Sequence, residues 1–208
     1  MKGLYIVFEG VVGSGKTTQS KLLLEKLKEK FPKREIIWTR EPGGSEIADA
    51  IRKVVQGEKF SEEMNPICEQ YLYAASRAQT IRQIIKPVLD VGGIVLSDRS
   101  FFTSIAYQGF GRGLVFSKVL EINRMALDGV WPDHVIFIDV DIDSALGRSS
   151  DKEGDKFESM DKDFFKKVRQ GYLFAAKKYP KIVEKIDGNR GIEEIHGELL
   201  SKVLTWLK

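Results

Sequence analysis

The run Gly10-Val11-Val12-Gly13-Ser14-Gly15-Lys16-Thr17 follows a short apolar stretch, Leu4 to Phe8, and precedes Leu23, Leu27 and Phe31 at helical spacing. G-x-x-x-x-G-K-[ST] in that context restricts the chain to folds in which a buried strand feeds a helix through a glycine turn. Glycines let successive backbone N–H groups of the turn converge on phosphate oxygens, and the start of the helix adds its positive end. In such a cradle Gly10, Gly13, Ser14 and Gly15 supply the loop, and Lys16 reaches the β- and γ-phosphates of a nucleoside triphosphate. Thr17 offers a hydroxyl to Mg²⁺, and Thr18 bonds the α-phosphate. An ordinary glycine-rich turn has no need of that lysine and hydroxyl.

Four further β-forming runs follow, Glu35 to Thr39, Ile94 to Ser97, Val135 to Val140 and a weaker one over Ile182 to Ile186, with helical patterns between them. Their apolar residues are continuous rather than alternating, which implies strands covered on both faces. The expectation is an α/β, three-layer P-loop fold with a five-stranded parallel sheet flanked by helices. With 208 residues, 42% hydrophobic and 30% charged, the chain is large enough to enclose its own core and reads as one domain over 1–208. From Met64 to Leu89, Ile67, Tyr71, Ala74, Ala78, Ile81 and Ile85 form one stripe, expected to face the core, as do Ile192, Ile195, Leu199 and Val203. Between Arg148 and Lys162 apolar residues nearly vanish and charges alternate in sign, the pattern of a mobile lid at about 148–162. No repeat, low-complexity tract or linker breaks the chain, and no apolar stripe in the sequence identifies a subunit interface.

Composition narrows the function classes. Thirty-three Lys+Arg against 30 Asp+Glu leave a net charge of +3, with the lysines scattered among acids, which argues against a dedicated nucleic-acid binder. The single cysteine, Cys68, excludes an intrachain disulfide and a zinc cluster and reads as a small buried hydrophobe in a reducing compartment, the cytoplasm. No apolar stretch approaches the roughly 18 to 20 residues of a spanning helix, and the chain opens on a strand pattern rather than a leader, so neither membrane nor export is expected.

Other residues suggest a second ligand. Asp98 closes the Ile94 to Ser97 run, where a P-loop protein keeps the carboxylate that holds magnesium or its water; a helix N-cap is the competing reading. Asp90 to Gly93 reads D-x-x-G, but no N-K-x-D accompanies it and the match is coincidental. Tyr73 and Arg77 lie one helical turn apart and off the apolar stripe, so core packing does not explain them. A tyrosine ring stacks on a base, and a guanidinium donates to a base carbonyl or pairs with phosphate; the alternative is an exposed aromatic beside a solvated arginine. Ser104, Tyr107 and Gln108 share a helical face at i, i+3 and i+4 and bring together a hydroxyl, a ring and an amide, unless they are merely a partly buried polar helix start.

FEGVVGSGKTTQ at Phe8 to Gln19, TREPGG at Thr39 to Gly44, LYAASR at Leu72 to Arg77, SDR at Ser97 to Arg99 and AYQGFGRG at Ala106 to Gly113 occur in that order. In this the chain resembles the thymidylate kinases, over nearly its whole length. That resemblance implies transfer of the γ-phosphoryl of ATP to dTMP, yielding dTDP and ADP with Mg²⁺, on a P-loop fold with a closing lid, in a homodimer. It implies that Tyr73 stacks on thymine, Arg77 reads its carbonyl, and Ser104 and Gln108 complete base recognition. It further implies that Tyr107 sits against the sugar's 2′ carbon, that Arg40 and Arg99 hold the dTMP phosphate with Arg52 and Glu41 nearby, and that Arg148 packs against adenine.

The chain departs from the family pattern at three places. Val12 stands where a carboxylate is common and cannot accept a hydrogen bond. Gly13 stands where some members carry an arginine, and the lid between Arg148 and Lys162 offers Lys152 and Lys156 instead, point charges without the bidentate fork. Ser100 replaces a bulkier ring. Two alternatives therefore stay open at this level: another nucleoside monophosphate kinase acting on dUMP, UMP or CMP, and a catalytically impaired nucleotide-binding protein. In the kinase reading Lys16, Arg99, Arg40, Lys152 and Lys156 surround the moving phosphoryl group, and no general base is needed because a phosphate monoester oxygen is already anionic.

Overall fold

The computed structural model describes residues 2–57, 60–149 and 160–207. Five strands, β1 (Leu4–Glu9), β2 (Ile36–Arg40), β3 (Ile94–Asp98), β4 (His134–Asp139) and β5 (Val183–Asp187), form one parallel sheet in the order β2-β3-β1-β4-β5. These are the five runs expected from the sequence, shifted by a residue or so at their ends. Continuous apolar runs make such strands because both faces are covered: β1, the central strand, is buried along its whole length.

In register, Phe8 lies opposite Asp98 and Ile136, and Arg40 opposite Asp98, so the carboxyl ends of the strands align along one edge. The chain steps to one side of β1 for β2 and β3 and to the other for β4 and β5. The loop leaving β1 thus opens into the crevice where the connections change direction, the usual ligand position in an open α/β sheet.

The covering helices are α1 (Lys16–Lys30), α2 (Glu46–Arg52), α3 (Pro66–Thr80), α4 (Lys86–Asp90), α5 (Phe101–Ser104), α6 (Phe116–Leu127), α7 (Ile142–Ser149), α8 (Lys162–Lys178) and α9 (Ile192–Trp206). Their starts follow local chemistry: Ser45, Asn65 and Asp161 accept from the N–H groups of Ala48, Ile67 and Phe164, and Pro66 occupies the first turn of α3, where no N–H is required. Three π-helical stretches, Lys53–Gly57, Ile81–Ile85 and Ile105–Gly111, extend α2, link α3 to α4 and extend α5. Such wide turns are rare and cluster at functional sites.

The stripe reading of α3 needs correction. Ala74, Ile81 and Ile85 are buried, but Ile67 and Tyr71 are exposed and Ala78 is half-buried. The inward face of α3 is instead polar, with Glu69, Gln70, Tyr73, Ser76, Arg77 and Thr80, because that face meets polar groups of neighbouring segments, among them Glu41, Gly43, Ser104 and Gln108. Cys68, expected to be buried, is exposed on the outward side. In α9, Ile195, Leu199 and Val203 are buried and Ile192 is exposed. No helix among the described residues is long and apolar enough to cross a membrane. Lys152 and Lys156, and most of the segment expected to be a lid, lie outside the described residues.

Candidate active site

The turn from β1 into α1 is shaped by glycines that cannot be replaced without rearrangement. Gly13 has φ +73°, and a Cβ there would sit 2.0 Å from the carbonyl oxygen of Ala145; one on Gly10, φ +148°, would meet the Ile138 oxygen at 2.6 Å. Lys16 is folded back over the loop, its Nζ donating to the Val11 carbonyl at 2.7 Å and to Ser14 Oγ at 3.3 Å. The turn borders a cavity of about 390 Å³ lined by Gly13, Ser14, Lys16, Thr18, Arg148 and Arg190 among others. Arg148 reaches across to donate to the Gly188 carbonyl at 3.0 Å. The Gly188–Gly191 turn after β5 enters this cavity because β5 ends at the same sheet edge as β1.

Thr17 Oγ1 donates to Asp98 Oδ2 at the foot of the cradle. A hydroxyl and a carboxylate in contact are hard oxygen donors of the kind Mg²⁺ takes together with substrate phosphates. Among the described residues no cluster of three or more His, Cys, Asp or Glu forms a protein-only cage. The pair thus fits a cation shared with a polyphosphate.

A second, smaller cavity of about 30 Å³, room for about two waters, lies beside the turn and is lined by Val12, Pro42, Gln56, Tyr73, Arg99, Thr103, Tyr107 and Gln108. Residues far apart in sequence meet here because β2, β3 and β1 end side by side and α3 and α5 pack over those ends. Gln56 Nε2 donates to the Tyr73 hydroxyl at 3.0 Å. Arg77, 2% exposed, lies one turn along α3: its Nε donates to Glu41 Oε2 at 2.6 Å and its Nη1 to Ser104 Oγ at 3.3 Å and to Asn123 Oδ1. Burial pushes the Glu41 carboxyl up against the opposing pull of Arg77. Arg52 donates to the Pro42 carbonyl at 3.0 Å, whereas Arg40 is exposed and pairs with Asp49 at 3.5 Å.

Arg99 lines the smaller cavity and reaches the turn that follows β1. Its backbone is left-handed, φ 77°, an uncommon state for a residue with a side chain. From there Nη1 donates to the Gly10 carbonyl at 3.0 Å and to the Tyr172 hydroxyl at 3.0 Å, while the guanidinium lies 5.3 Å from the centre of the Tyr107 ring. Beneath it Glu9, fully buried, accepts from Ser100 N at 2.8 Å and Thr103 N at 3.3 Å on one oxygen and from Thr103 Oγ1 at 2.6 Å on the other. Burial pushes the Glu9 carboxyl up to about 7, only partly offset by those donors and by the Arg99 charge.

A family model described as thymidylate kinase matches residues 8–199. The chain belongs to the thymidylate kinase family. It is 41% identical over 206 residues to the thymidylate kinase of Kosmotoga olearia, covering 99% of this chain and 97% of that one. It is 42% identical over 202 residues to that of Pelotomaculum thermopropionicum, covering 96% and 92%. The crystal structure of the Ehrlichia chaffeensis thymidylate kinase superposes with a TM-score of 0.79 at 32% identity, covering 98% of this chain and 99% of that one.

In this member of the family, then, the sequence candidates fall into three groups. Gly10, Gly13, Ser14, Gly15, Lys16, Thr17, Thr18 and Arg148 gather around the larger cavity or its rim, with Asp98 below. Tyr73, Tyr107, Gln108 and Arg99 line the smaller one, and Glu41, Arg77 and Ser104 form a buried network behind it. Arg40 and Arg52 stand outside both linings. The π-helical stretch beginning at Ile105 means that Ser104 does not share a simple α-helical face with Tyr107 and Gln108; it turns to Arg77. Glu9, Gln56, Glu69, Thr103, Asn123, Tyr172 and Arg190 were not legible as site residues. The FEG at the end of β1 was the available signal for Glu9, and the DGNRG turn after β5 for Arg190.

Proposed function

We propose that this chain transfers the γ-phosphoryl of ATP to dTMP, forming dTDP and ADP, with ATP in the larger cavity and dTMP at the smaller, which must widen to admit a nucleotide. The observation that carries the assignment is Arg99, which bonds the cradle at Gly10 and lies against Tyr107, so that one cation reaches the boundary between the two cavities. Lys16 leaves its Val11 and Ser14 partners to bind the β- and γ-phosphates, and Arg148 packs against adenine opposite the turn after β5. Tyr73 stacks on thymine, Arg77, Ser104 and Gln108 read its edge, and Tyr107 meets the 2′ carbon. Arg99, with Arg40, Arg52 and Glu41 at the edge, orients the acceptor phosphate in line with the γ-phosphorus.

That phosphate is already dianionic near neutral pH, so its oxygen attacks without a general base, and positioning supplies the rate. Thr17 and Asp98 hold Mg²⁺, whose chemistry is to neutralise charge on the β- and γ-phosphates.

We further propose a homodimer. Supporting it is a groove of about 890 Å³ on the outward face of α3 and α6, lined by Ile67, Tyr71, Ala74, Ala78, Ile122 and Met125 among others, an apolar surface that a second copy would cover. The cytoplasm, where exposed Cys68 stays reduced, is the fitting compartment. ADP release with a panel of dTMP, dUMP, UMP, CMP and AMP tests the reading. Turnover should depend on dTMP and fall at least 1,000-fold in Lys16→Ala, and preference for a ribonucleotide would overturn the acceptor assignment.

A further inference from the structure

Gln108 is fully buried and lines the smaller cavity, yet the two ends of its carboxamide are treated differently. Nε2 donates to Glu69 Oε1 at 2.8 Å, while Oε1 is buried without a hydrogen-bond partner. Glu69, fully buried on α3, receives Arg112 Nη2 on its other oxygen at 3.2 Å. A carboxylate only accepts hydrogen bonds, so the amide must show it the NH₂ group and keep the carbonyl for the cavity. Glu69 also precedes Tyr73 and Arg77 at intervals of four on the same face of α3, so the residue that orients the amide is built into the helix that carries the ring and the guanidinium.

We propose that Glu69 is a positioning residue that fixes the hydrogen-bonding polarity of Gln108, so that the pocket takes bases with a ring imide N–H, thymine and uracil, and refuses cytosine. The inference rests on the assignment of dTMP to the smaller cavity. Gln108 Oε1 supplies an acceptor and Arg77 supplies donors, the complement of an N–H flanked by carbonyls. Cytosine brings an unprotonated N3 to an acceptor and an amino group towards a guanidinium, two like pairings that leave buried groups unsatisfied at a cost of about 10- to 100-fold in binding. Arg77 alone contributes a donor; the polarity at the ring nitrogen comes from Glu69 acting through Gln108.

Glu69→Gln is the test, because a carboxamide at 69 donates or accepts and lets Gln108 turn. KM and kcat are measured with dTMP, dUMP and dCMP, and ATP affinity by calorimetry reports the fold. The ratio of kcat/KM for dTMP over dCMP should drop at least tenfold through KM, with kcat on dTMP within about threefold of the parent, and Glu69→Asp, still acceptor-only, should keep most of the discrimination. An unchanged ratio in a folded, active Glu69→Gln protein would overturn the role of Glu69. Should that variant not fold, the parent enzyme still decides: the N3-methyl analogue of dTMP should bind at least tenfold more weakly than dTMP, and equal binding would overturn the proposal. Parent enzyme that turns over neither dTMP nor dUMP would sink the acceptor assignment itself, a different failure.

Discussion

Replacing Glu9 by glutamine should change how stability depends on pH while leaving the fold in place. The carboxyl is fully buried, and burial lifts it from an ordinary 4.5 to about 7. Below about pH 7 the group is neutral in its site, with Oε1 facing two backbone N–H groups and Oε2 facing the Thr103 hydroxyl. Glutamine reproduces that neutral form. Below pH 4.5 the carboxyl is protonated both folded and unfolded and exerts no pH dependence. Between 4.5 and about 7 the folded chain keeps a proton that the unfolded chain releases, so rising pH favours unfolding; above 7 the deficit levels off at about 3 kcal/mol. Between pH 5 and pH 8 the parent should therefore lose about 2 to 3 kcal/mol relative to Glu9→Gln. Urea unfolding of both proteins at pH 5, 6, 7 and 8 measures that difference, and other titrating groups cancel in it. A difference that stays flat, or that grows in favour of the parent as pH rises, would refute the placement of a neutral carboxyl beneath Arg99.

Three further outcomes follow from the geometry. Arg77→Met strands the Glu41 carboxylate in a site where both partners are almost fully buried, and should cost about 3 to 5 kcal/mol in urea unfolding. Adding Glu41→Leu should recover most of that loss, which a merely additive pair would not. Gly13→Ala forces a Cβ onto the Ala145 carbonyl in a left-handed backbone; calorimetry should show ATP affinity falling at least tenfold while dTMP affinity holds within about threefold. Tyr71→Glu puts a charge on the outward groove of α3, and light scattering should report monomers where the parent gives dimers.

The sheet was readable because a parallel strand buried on both faces is written in uninterrupted apolar residues, as the central strands β1, β3 and β4 are, whereas β5, Val-Glu-Lys-Ile-Asp at the sheet edge, gave the weaker signal. The cradle was readable because its glycines, lysine and hydroxyl are neighbours in sequence. Residues that act from opposite sides of the molecule were not: Glu9 looks like the last residue of a strand until Ser100, Thr103 and Tyr172 are folded around it. Gln56 and Asn123 look like surface residues until their helices close on Tyr73 and Arg77.

The failure at α3 has a more general cause. A helical stripe of apolar residues is normally assigned to the core because only the core removes it from water. In α3 the buried face carries Glu69, Gln70, Tyr73, Ser76, Arg77 and Thr80, and exposed Ile67 and Tyr71 border an outward groove. Both faces leave solvent if a second copy lies on the groove, and the polar face is the costlier one to bury, since each of its groups needs a partner. Arg77 has Glu41, Ser104 and Asn123, and Glu69 has Gln108 and Arg112. Those partners come from the residue that follows β2, from α5, from its π-helical extension and the residue that follows it, and from α6. The polarity of α3 therefore marks the place where four separate segments converge, and its apolar stripe marks the surface opposite.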